Sequence, residues 1–470
     1  MNRNFALFAA YTFVYVKGGK LFVSKKKLMR DTALLTGSSL AMRSIALVFQ
    51  MWLVSRIGAA GVGLYGLVGS VGFLAATVAI SGIRFASTRI ISEELGLQRA
   101  GGVGKAMQIC MAYSLFFGGA SAIILYLCAE PIGFLWIGDA RTVLSLRILS
   151  LSLPFISLSS VMYGYFTACG RIFKAAAVQV SEQLIRIGLV VAFLAFAPYG
   201  DLEKSCAAVS AGSCGAELLS FLIMLTVFIG DRKKHKKKSE PSPRLPARTL
   251  GVAFPLALSA YARSSLSTLE QLLVPRGLKK AGYPANGALA GYGTIQGMVF
   301  PIIFFPSCII TALAELIVPE LTAAQVSGKK EQISRVVSSL LRKSLGFSVF
   351  IGLMLFILSE TLGKSIYKSE DAGYYIRLFS LLVPIMYMDM VTDGCLKGLG
   401  EHLWSMGFNI AEAIFGVILV YTLLPRFALN GYIGILFFEE IFNFTLSIWR
   451  LSRVTEIRLF PDLFKNKCRE

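Results

Sequence analysis

Long apolar segments dominate this chain and limit what it can fold into. Each has about 20 residues or more, the length that an α-helix needs to cross a bilayer. The segments fall near 31–57, 61–83, 106–128, 146–170, 174–197, 206–230, 249–275, 287–313, 337–360, 375–400, 405–424 and 429–450. The apolar runs are continuous, whereas strands of a membrane β-barrel alternate apolar and polar residues. The sequence therefore predicts an all-α polytopic membrane protein with about 12 transmembrane helices.

Composition excludes several other classes of protein. Hydrophobic residues make up 55% of the 470 residues and charged residues only 16%, against about 25% charged in a typical soluble domain. A soluble fold of this size has too much exterior to cover with so few polar groups. A soluble enzyme, a disordered chain and a secreted disulfide scaffold are therefore excluded.

Motifs for metal binding and catalysis are missing from the sequence. The eight cysteines form no CxxC pair and there are only two histidines, so a metal or haem site has few ligands. No GxxxxGK[ST] loop, HExxH motif or nucleophile elbow occurs. We therefore predict no enzyme activity, no ATP-driven pumping, no metal and no cofactor.

Charge sets the predicted topology. The formal net charge is +20, and lysine and arginine are about three times as frequent in the predicted inner segments as in the outer ones. This bias predicts a multi-pass protein of the cell membrane with both termini in the cytoplasm, and no nucleic-acid partner. A basic linker at 231–248 separates the predicted bundles 29–230 and 249–455, and 456–470 is a cytoplasmic tail.

The first 28 residues form a basic and apolar extension. Its apolar run is too short to span a bilayer and is followed by KGGK instead of a small-residue cleavage site. Two interpretations stay open: a helix that lies on the membrane surface, or a start of translation at Met29.

The two halves of the sequence are repeats of each other. Offsets of 220 to 230 residues align charged, glycine and proline residues in one order; the aligned pairs include Arg43 with Arg263, Arg56 with Arg276, Tyr65 with Tyr292, Glu93 with Glu320, Pro154 with Pro384, and Glu182 with Glu412. Each half has six predicted spans, an even number, so the repeats have the same orientation. Two such bundles can enclose a central cavity and rock to open it on either side.

Two arginines are predicted at the centre of the membrane. Arg43 and Arg263 lie about midway along helices 1 and 7, where a charge costs at least ~2.5–3.5 kcal/mol on insertion scales. Guanidinium groups bind phosphate and pyrophosphate through paired hydrogen bonds. The pair therefore predicts a headgroup site facing the cavity; pairing with carboxylates or carbonyls within the protein is the alternative.

Other charged residues in predicted helices are candidates for ion coupling or for structural pairs. Glu182 and Arg186 have the i, i+4 spacing of an intrahelical ion pair. The coupling candidates for a proton or sodium ion are Glu182, Glu412, Asp389, Asp393 and Glu270. Glu217, Glu439 and Glu440 also lie in predicted helices. Glu93 and Glu320 lie in predicted inner loops and are interpreted as gate or loop ion pairs.

Residues 253–330 carry a recognisable series of motifs. They are Pro255, Val274-Pro275-Arg276, Tyr292-Gly293, Pro306-Ser307 and Val318-Pro319-Glu320, and helix 5 adds Glu182-Gln183-Leu184-Ile185-Arg186. In these strings the chain resembles the stage V sporulation protein B family, in the polysaccharide-exporter branch of the multidrug/oligosaccharidyl-lipid/polysaccharide superfamily. The resemblance covers about 29–455 and implies a MATE-like flippase fold.

This resemblance implies a function. Relatives include lipid II flippases and oligosaccharide-lipid flippases, which implies transfer of an undecaprenyl-pyrophosphate-linked sugar from the inner to the outer leaflet for cell-wall or surface polysaccharide synthesis. Arg43 and Arg263 match the cavity arginines of such flippases, Arg84 matches a further one, and Arg186 completes the predicted headgroup set. The implied partners are the lipid-linked substrate, membrane lipids and cell-wall or polysaccharide synthases.

Three functions stay open at this point. The first is the flippase, with coupling to an H+ or Na+ gradient or to the membrane potential left undecided. The second is a cation-coupled drug or metabolite antiporter of the same fold, whose cavity is expected to be acidic and apolar. The third is a membrane scaffold for cell-wall synthases, in which Arg43 and Arg263 are expected to be replaceable.

Overall fold

The computed structural model describes residues 25–96, 100–198, 200–232, 245–326 and 330–455. The predicted extension up to residue 24, most of the basic linker and the tail from residue 456 lie outside these ranges. The described residues fold as α-helices joined by short turns, π-helical and 3₁₀ segments, without a β-strand. The prediction of an all-α membrane protein is therefore confirmed.

Fifteen α-helices position the residues discussed below. The first seven are α1 (Lys25–Ile80), α2 (Ile83–Gly96), α3 (Ala100–Leu127), α4 (Val143–Ser150), α5 (Leu153–Ala168), α6 (Ile172–Phe196) and α7 (Leu202–Arg232). The others are α8 (Leu245–Lys280), α9 (Ala285–Gly293), α10 (Phe300–Phe304), α11 (Ser307–Val326), α12 (Lys330–Tyr367), α13 (Glu370–Ser380), α14 (Val383–Gly398) and α15 (His402–Thr455).

Two of these helices each hold two predicted spans. α1 is interrupted at Gly58, where φ is 72°, and α15 at Ala428, where φ is 51°. Among the described residues, seven helices are long and apolar enough to cross a membrane, or nine if each bent pair is one span. Because α1 and α15 are double, eleven of the twelve predicted spans are represented. The remaining one is α8, which carries Arg263 and Glu270 along its length.

The repeat in the sequence reappears as a repeat of bends. The pair α4 and α5 is bent by 43°, and the pair α13 and α14 by 56°. Pro154 and Pro384, which align in the sequence repeat, lie in the first turn of α5 and α14. Proline has no N–H and fits the first turn of a helix, so a new helix begins there in both halves.

The described residues form two compact units. Unit 1 consists of 25–55, Gly277–Tyr283 and Thr294 onward, and unit 2 consists of Arg56–Arg276 and Pro284–Gly293. The first 31 described residues thus pack with the second half of the sequence, and most of α8 packs with the first half. The predicted bundles 29–230 and 249–455 do not coincide with these two units. The boundaries of the bundles stay a prediction.

Candidate functional site

An arginine held between two carboxylates lies inside unit 2. Arg186 donates hydrogen bonds from Nη2 to Glu182 Oε1 at 2.6 Å and to Glu217 Oε1 at 2.7 Å. Glu182 also accepts a hydrogen bond from Ser220 Oγ at 3.1 Å. The i, i+4 ion pair predicted for α6 is therefore present, and the structure adds a second carboxylate from α7.

Close packing of α6 on α7 brings Arg186 within hydrogen-bonding distance of Glu217. Gly212 on α7 faces Val190 on α6, and a Cβ built on Gly212 would stand 2.7 Å from Val190 Cα. Only glycine allows such an approach of two helix backbones. The side chains of Arg186 and Glu217 lie close to this crossing and span the small gap between the helices.

Arg84 lies near the same group, at the start of α2. Its guanidinium carbon is 4.9 Å from the ring centroid of Tyr163 on α5, a favourable cation–π distance. Both side chains are in electrostatic range of Glu182. We call Arg84, Tyr163, Glu182, Arg186 and Glu217 the arginine–carboxylate cluster. It contains two arginines, two glutamates and one tyrosine.

The two arginines predicted for the headgroup site belong to different units. Arg43 is on α1 in unit 1, and Arg263 is on α8 in unit 2. Both side chains are half-buried. Their joint contribution to one headgroup site stays a prediction.

Unit 1 contains buried acidic residues on α14 and α15. Asp389 on α14 accepts a 3.4 Å hydrogen bond from Asn443 Nδ2 on α15. Asp389 is 2% exposed, Glu439 is 7% exposed and Asn443 is 3% exposed. We call these three residues the acidic cluster.

The remaining coupling candidates have varied surroundings. Asp393 is ion-paired with Lys397 and accepts a hydrogen bond from Ser405. Glu412 and Glu270 are half-buried, in units 1 and 2 respectively. Glu270 lies in electrostatic range of the buried Tyr292. Within the described ranges, no group of three His, Cys, Asp or Glu residues could hold a metal ion.

The predicted gate residue Glu93 is ion-paired in unit 2. It accepts a hydrogen bond from Arg89 at 3.1 Å and another from Arg248, the fourth residue of α8. The adjacent Glu94 is fully buried, with Arg248 at 4.0 Å. These pairs tie the end of α2 to the beginning of α8. The side chain of Glu320, the equivalent residue in the repeat, lies outside the described residues.

Sequence reasoning missed Tyr163 and the partner role of Glu217. A signal for Tyr163 was available, because the 230-residue offset aligns it with the coupling candidate Asp393. Glu217 could not be paired with Arg186 from the sequence, because the two residues are 31 positions apart and lie on different helices. Asn443 carries no charge and gave no signal among the apolar residues of α15.

Comparison with known families gives two matches. The family model described as polysaccharide biosynthesis protein matches residues 28–307, more than half of the chain. A second model, MatE, matches residues 281–422. The matches together span both units.

Curated relatives come from Bacillus subtilis (strain 168). Stage V sporulation protein B is 25% identical over 417 residues, which cover 86% of this chain and 79% of the relative. Sporulation protein YkvU is 20% identical over 405 residues, covering 84% of this chain and 88% of the relative.

Solved structures establish the fold. An inward-facing multidrug resistance MATE family transporter of the MOP superfamily superposes with a TM-score of 0.69 at 16% identity, covering 89% of this chain and 96% of that one. The predicted MATE-like fold is thereby confirmed. The chain belongs to the polysaccharide biosynthesis protein family and is a multi-pass membrane transporter of the multidrug/oligosaccharidyl-lipid/polysaccharide superfamily with the fold of MATE transporters.

Proposed function

We propose that the chain is an alternating-access flippase in the cell membrane, with both termini in the cytoplasm. Its substrate is an undecaprenyl-pyrophosphate-linked oligosaccharide or peptidoglycan precursor, which it moves from the inner to the outer leaflet. The observation that carries this proposal is the match to the polysaccharide biosynthesis family over residues 28–307. Similarity to Stage V sporulation protein B supports a place in cell-wall synthesis during sporulation.

Arginine chemistry supports a pyrophosphate headgroup. Arg43, Arg84 and Arg263 are each half-buried in a helix, where an unneeded charge would be costly. The guanidinium of Arg84 lies over the Tyr163 ring, and a cation–π contact does not neutralise the charge of a guanidinium. In this proposal the three arginines hold the pyrophosphate, and the sugar occupies the cavity.

Arg186 has a different role in this proposal. Because Glu182 and Glu217 both bind it, its charge is already balanced, and it positions the helices beside the headgroup site. Exchange of a proton or sodium ion is assigned in this proposal to Asp389, which is buried on α14 and accepts a hydrogen bond from Asn443. Cell-wall or polysaccharide synthases are the proposed protein partners, because they consume the flipped lipid.

Native mass spectrometry of the purified protein with lipid II tests the headgroup site. We expect the wild type to retain lipid II and the double variant Arg43→Gln/Arg263→Gln to lose it by about a hundredfold, at roughly 1.4 kcal/mol per lost charged contact. Arg147→Gln is the matched control, since Arg147 is a partly exposed arginine bound to Glu130. Equal retention by the double variant and the wild type would refute the assignment of these arginines.

Flipping itself is tested in proteoliposomes that contain a fluorescent undecaprenyl-pyrophosphate sugar. We expect the wild type to move the lipid to the opposite leaflet, Arg84→Gln to slow it at least tenfold, and Arg147→Gln to leave the rate unchanged. Binding without flipping would support the scaffold alternative.

A cation-coupled antiporter is the second candidate. The match of the MatE model to residues 281–422 and the buried acidic cluster favour it. It predicts Na+- or pH-dependent efflux of a cationic dye that is abolished by Asp389→Asn. Dye efflux together with an absence of lipid II retention would replace the flippase proposal.

A further inference from the structure

A break in the helical backbone of unit 1 lies between α10 and α11. Two prolines frame it: Pro301 is in the first turn of α10, and Pro306 directly precedes α11, which begins at Ser307. A π-helical segment, Thr294–Val299, comes just before α10. Prolines and π-helical turns interrupt the hydrogen-bond ladder of a helix and let it bend. We call residues 301–307 the proline joint.

The carbonyl groups that the two prolines leave open have other partners. Pro301 has no N–H for the carbonyl four residues earlier, that of Gly297, and Gln50 Nε2 on α1 donates to this oxygen at 3.0 Å. Pro306 has no N–H for the carbonyl of Ile302, which accepts from the backbone N–H three residues later at 3.3 Å instead. Both carbonyls are therefore satisfied, as membrane depth requires, while the α-helical ladder stays open at the prolines.

The hydroxyl group of Tyr387 is inserted into the ladder at the same break. Its Oη, on α14, donates to the carbonyl oxygen of Ile303 at 2.6 Å and accepts the backbone N–H of Ser307. Ile303 and Ser307 are four residues apart, the spacing at which backbone groups bond each other directly in a continuous α-helix. Tyr387 is fully buried. Its hydroxyl thus bridges the break with two hydrogen bonds in place of one helical bond.

The first half of the chain has a related arrangement within unit 2. Ser157 aligns with Tyr387 at the 230-residue offset of the repeat. Ser157 Oγ, on α5, donates to the carbonyl oxygen of Ala79 at 2.8 Å. Ala79 lies four residues before Ile83, where α2 begins, just as Ile303 lies four residues before the start of α11. Both halves therefore place a hydroxyl group from an equivalent position on the carbonyl that precedes a new helix.

Two features distinguish the break in unit 1. Pro301 and Pro306 keep its ladder open, whereas the corresponding stretch 74–83 of the first half contains no proline. Arg43, one of the proposed headgroup arginines, is in electrostatic range of Cys308, the second residue of α11. A bend at this break therefore changes the position of the first turn of α11 relative to Arg43.

We propose that the chain bends at the proline joint during transport, with Tyr387 as the positioning residue that bridges the joint. This inference rests on the proposed flippase function and adds to it the place where unit 1 changes shape. Because the ladder is already open at Pro306, bending there breaks no α-helical hydrogen bond. The motion shifts the first turn of α11 relative to Arg43 and so links headgroup binding to bending.

Pro306→Ala in the full chain tests the joint. Alanine supplies the missing N–H for Ile302 and permits a continuous helix, so that bending must then break a buried hydrogen bond. We expect flipping of the fluorescent undecaprenyl-pyrophosphate sugar in proteoliposomes to slow by about tenfold or more. Retention of lipid II in native mass spectrometry is expected to match the wild type. Pro425→Ala changes a proline within α15 of the same unit and is the matched control, with an unchanged rate expected.

Hydrogen exchange tests the bridge by Tyr387 without any substrate. Tyr387→Phe removes the hydroxyl group, and we expect the amide of Ser307 to exchange about tenfold faster or more. In the Pro306→Ala background the helix closes, and Tyr387→Phe is expected to leave this exchange unchanged. A tyrosine that only fills space would have the same effect in both backgrounds. Equal effects in the two backgrounds, or none in either, would overturn the role of Tyr387.

The measurements separate this inference from the proposed function. A wild type that neither retains nor flips the lipid refutes the proposed function, and with it the transport role of the joint. A wild type that flips the lipid no faster than Pro306→Ala refutes the joint alone. Loss of lipid II retention in Pro306→Ala, or equal hydrogen exchange of segment 302–309 in this variant and the wild type, would also refute the joint. Thermal unfolding checks that each variant is folded.

Discussion

The hydroxyl group of Tyr261 lies 2.6 Å from Ser81 Oγ, at the break between α1 and α2. Tyr113 Oη lies 2.9 Å from the same oxygen. Ser81 is fully buried and has φ at 44°, a left-handed conformation that costs a residue with a Cβ roughly 1–3 kcal/mol. The two tyrosines, from α8 and α3, therefore hold a strained bend one turn before Arg84.

Removing both tyrosine hydroxyls is expected to cost more than the sum of the two single removals. In Tyr113→Phe or Tyr261→Phe one tyrosine hydroxyl still bonds Ser81. Each single variant is therefore expected to lose less than about 1 kcal/mol of unfolding free energy. The double variant leaves a buried hydroxyl without either ring partner and is expected to lose about 2–3 kcal/mol. Thermal unfolding in detergent measures the difference.

Ser81→Gly is the matched rescue for that experiment. Glycine adopts positive φ without strain and has no hydroxyl to satisfy, so we expect it to recover most of the stability that the double variant loses. Additive effects of the two tyrosine substitutions, or no rescue by glycine, would contradict the view that this bend is strained and jointly held.

Neutralising Arg186 is expected to destabilise unit 2. Arg186→Gln leaves Glu182 and Glu217 close together without the cation that binds both, with only 21% and 18% of their side chains exposed. We expect a loss of about 2–4 kcal/mol in the free energy of unfolding. This is somewhat less than the loss on breaking a fully buried ion pair. The variant Arg186→Gln/Glu217→Gln removes the repulsion and is expected to regain about half of that loss in thermal unfolding. A double variant less stable than the single one would disprove the repulsion.

Neutralising Asp231 is expected to loosen the end of α7. This carboxylate is 1% exposed and binds Lys174 at 2.6 Å, Arg171, and the Tyr165 hydroxyl at 3.1 Å. Asp231→Asn leaves two cations facing an amide, and we expect a loss of about 2–3 kcal/mol because those cations are partly exposed. Hydrogen exchange should rise in the last turns of α7 and the first turn of α6.

Unit 1 contains a related pair with the charges reversed. Arg450 near the end of α15 binds Glu401 at 2.8 Å and stacks on Trp404 at 4.5 Å; the 230-residue offset aligns Glu401 with Arg171. Both side chains of the pair keep more than a fifth of their surface exposed, so Glu401→Gln is expected to cost only about 1 kcal/mol. A loss of unfolding free energy in Glu401→Gln as large as that in Asp231→Asn would contradict the expectation that the more buried ion pair contributes more to stability.

The first turn of α7 is expected to weaken in acid. Hydrogen bonds from the backbone and side chain of Lys204 hold the pKa of Asp201 below its ordinary value. A carboxyl with a lowered folded pKa stabilises the helix above its unfolded pKa near 4, and this contribution disappears as pH falls through the folded pKa. The protection of the Lys204 amide, measured relative to its intrinsic exchange rate at each pH, should fall below pH 4 in the wild type. Asp201→Asn should remove this pH dependence, and a persistent dependence would assign it to another group.

Most of the fold could be predicted because membrane helices are defined by local composition. Apolar runs located eleven spans, and the aligned prolines Pro154 and Pro384 marked the two bent pairs. Grouping of helices into compact units could not be predicted. It depends on side-chain contacts between distant segments, such as Gln50 Nε2 on α1 and the carbonyl oxygen of Gly297 at 3.0 Å.

The candidate site was predictable where the spacing was local. Glu182 and Arg186 are one helical turn apart, and their pairing follows from geometry. Glu217 and Tyr163 come from other helices, and only the packing of α5, α6 and α7 brings them near Arg186. The role of Gly212 is also invisible in sequence, since glycine is common throughout this chain, with 44 in 470 residues.

The makeup of the two units has a consequence for biosynthesis. Unit 2 needs α8 and α9 before its contacts are satisfied, so the ribosome must pass residue 293 before the first-half helices can settle. The described residues 25–55 wait longer, because their partners begin at 277 and extend to 455. α8 is also too polar to rank among the candidate spans. We therefore expect newly made early helices to expose surfaces that later segments cover, and we expect the translocon or insertion chaperones to shield these surfaces until then.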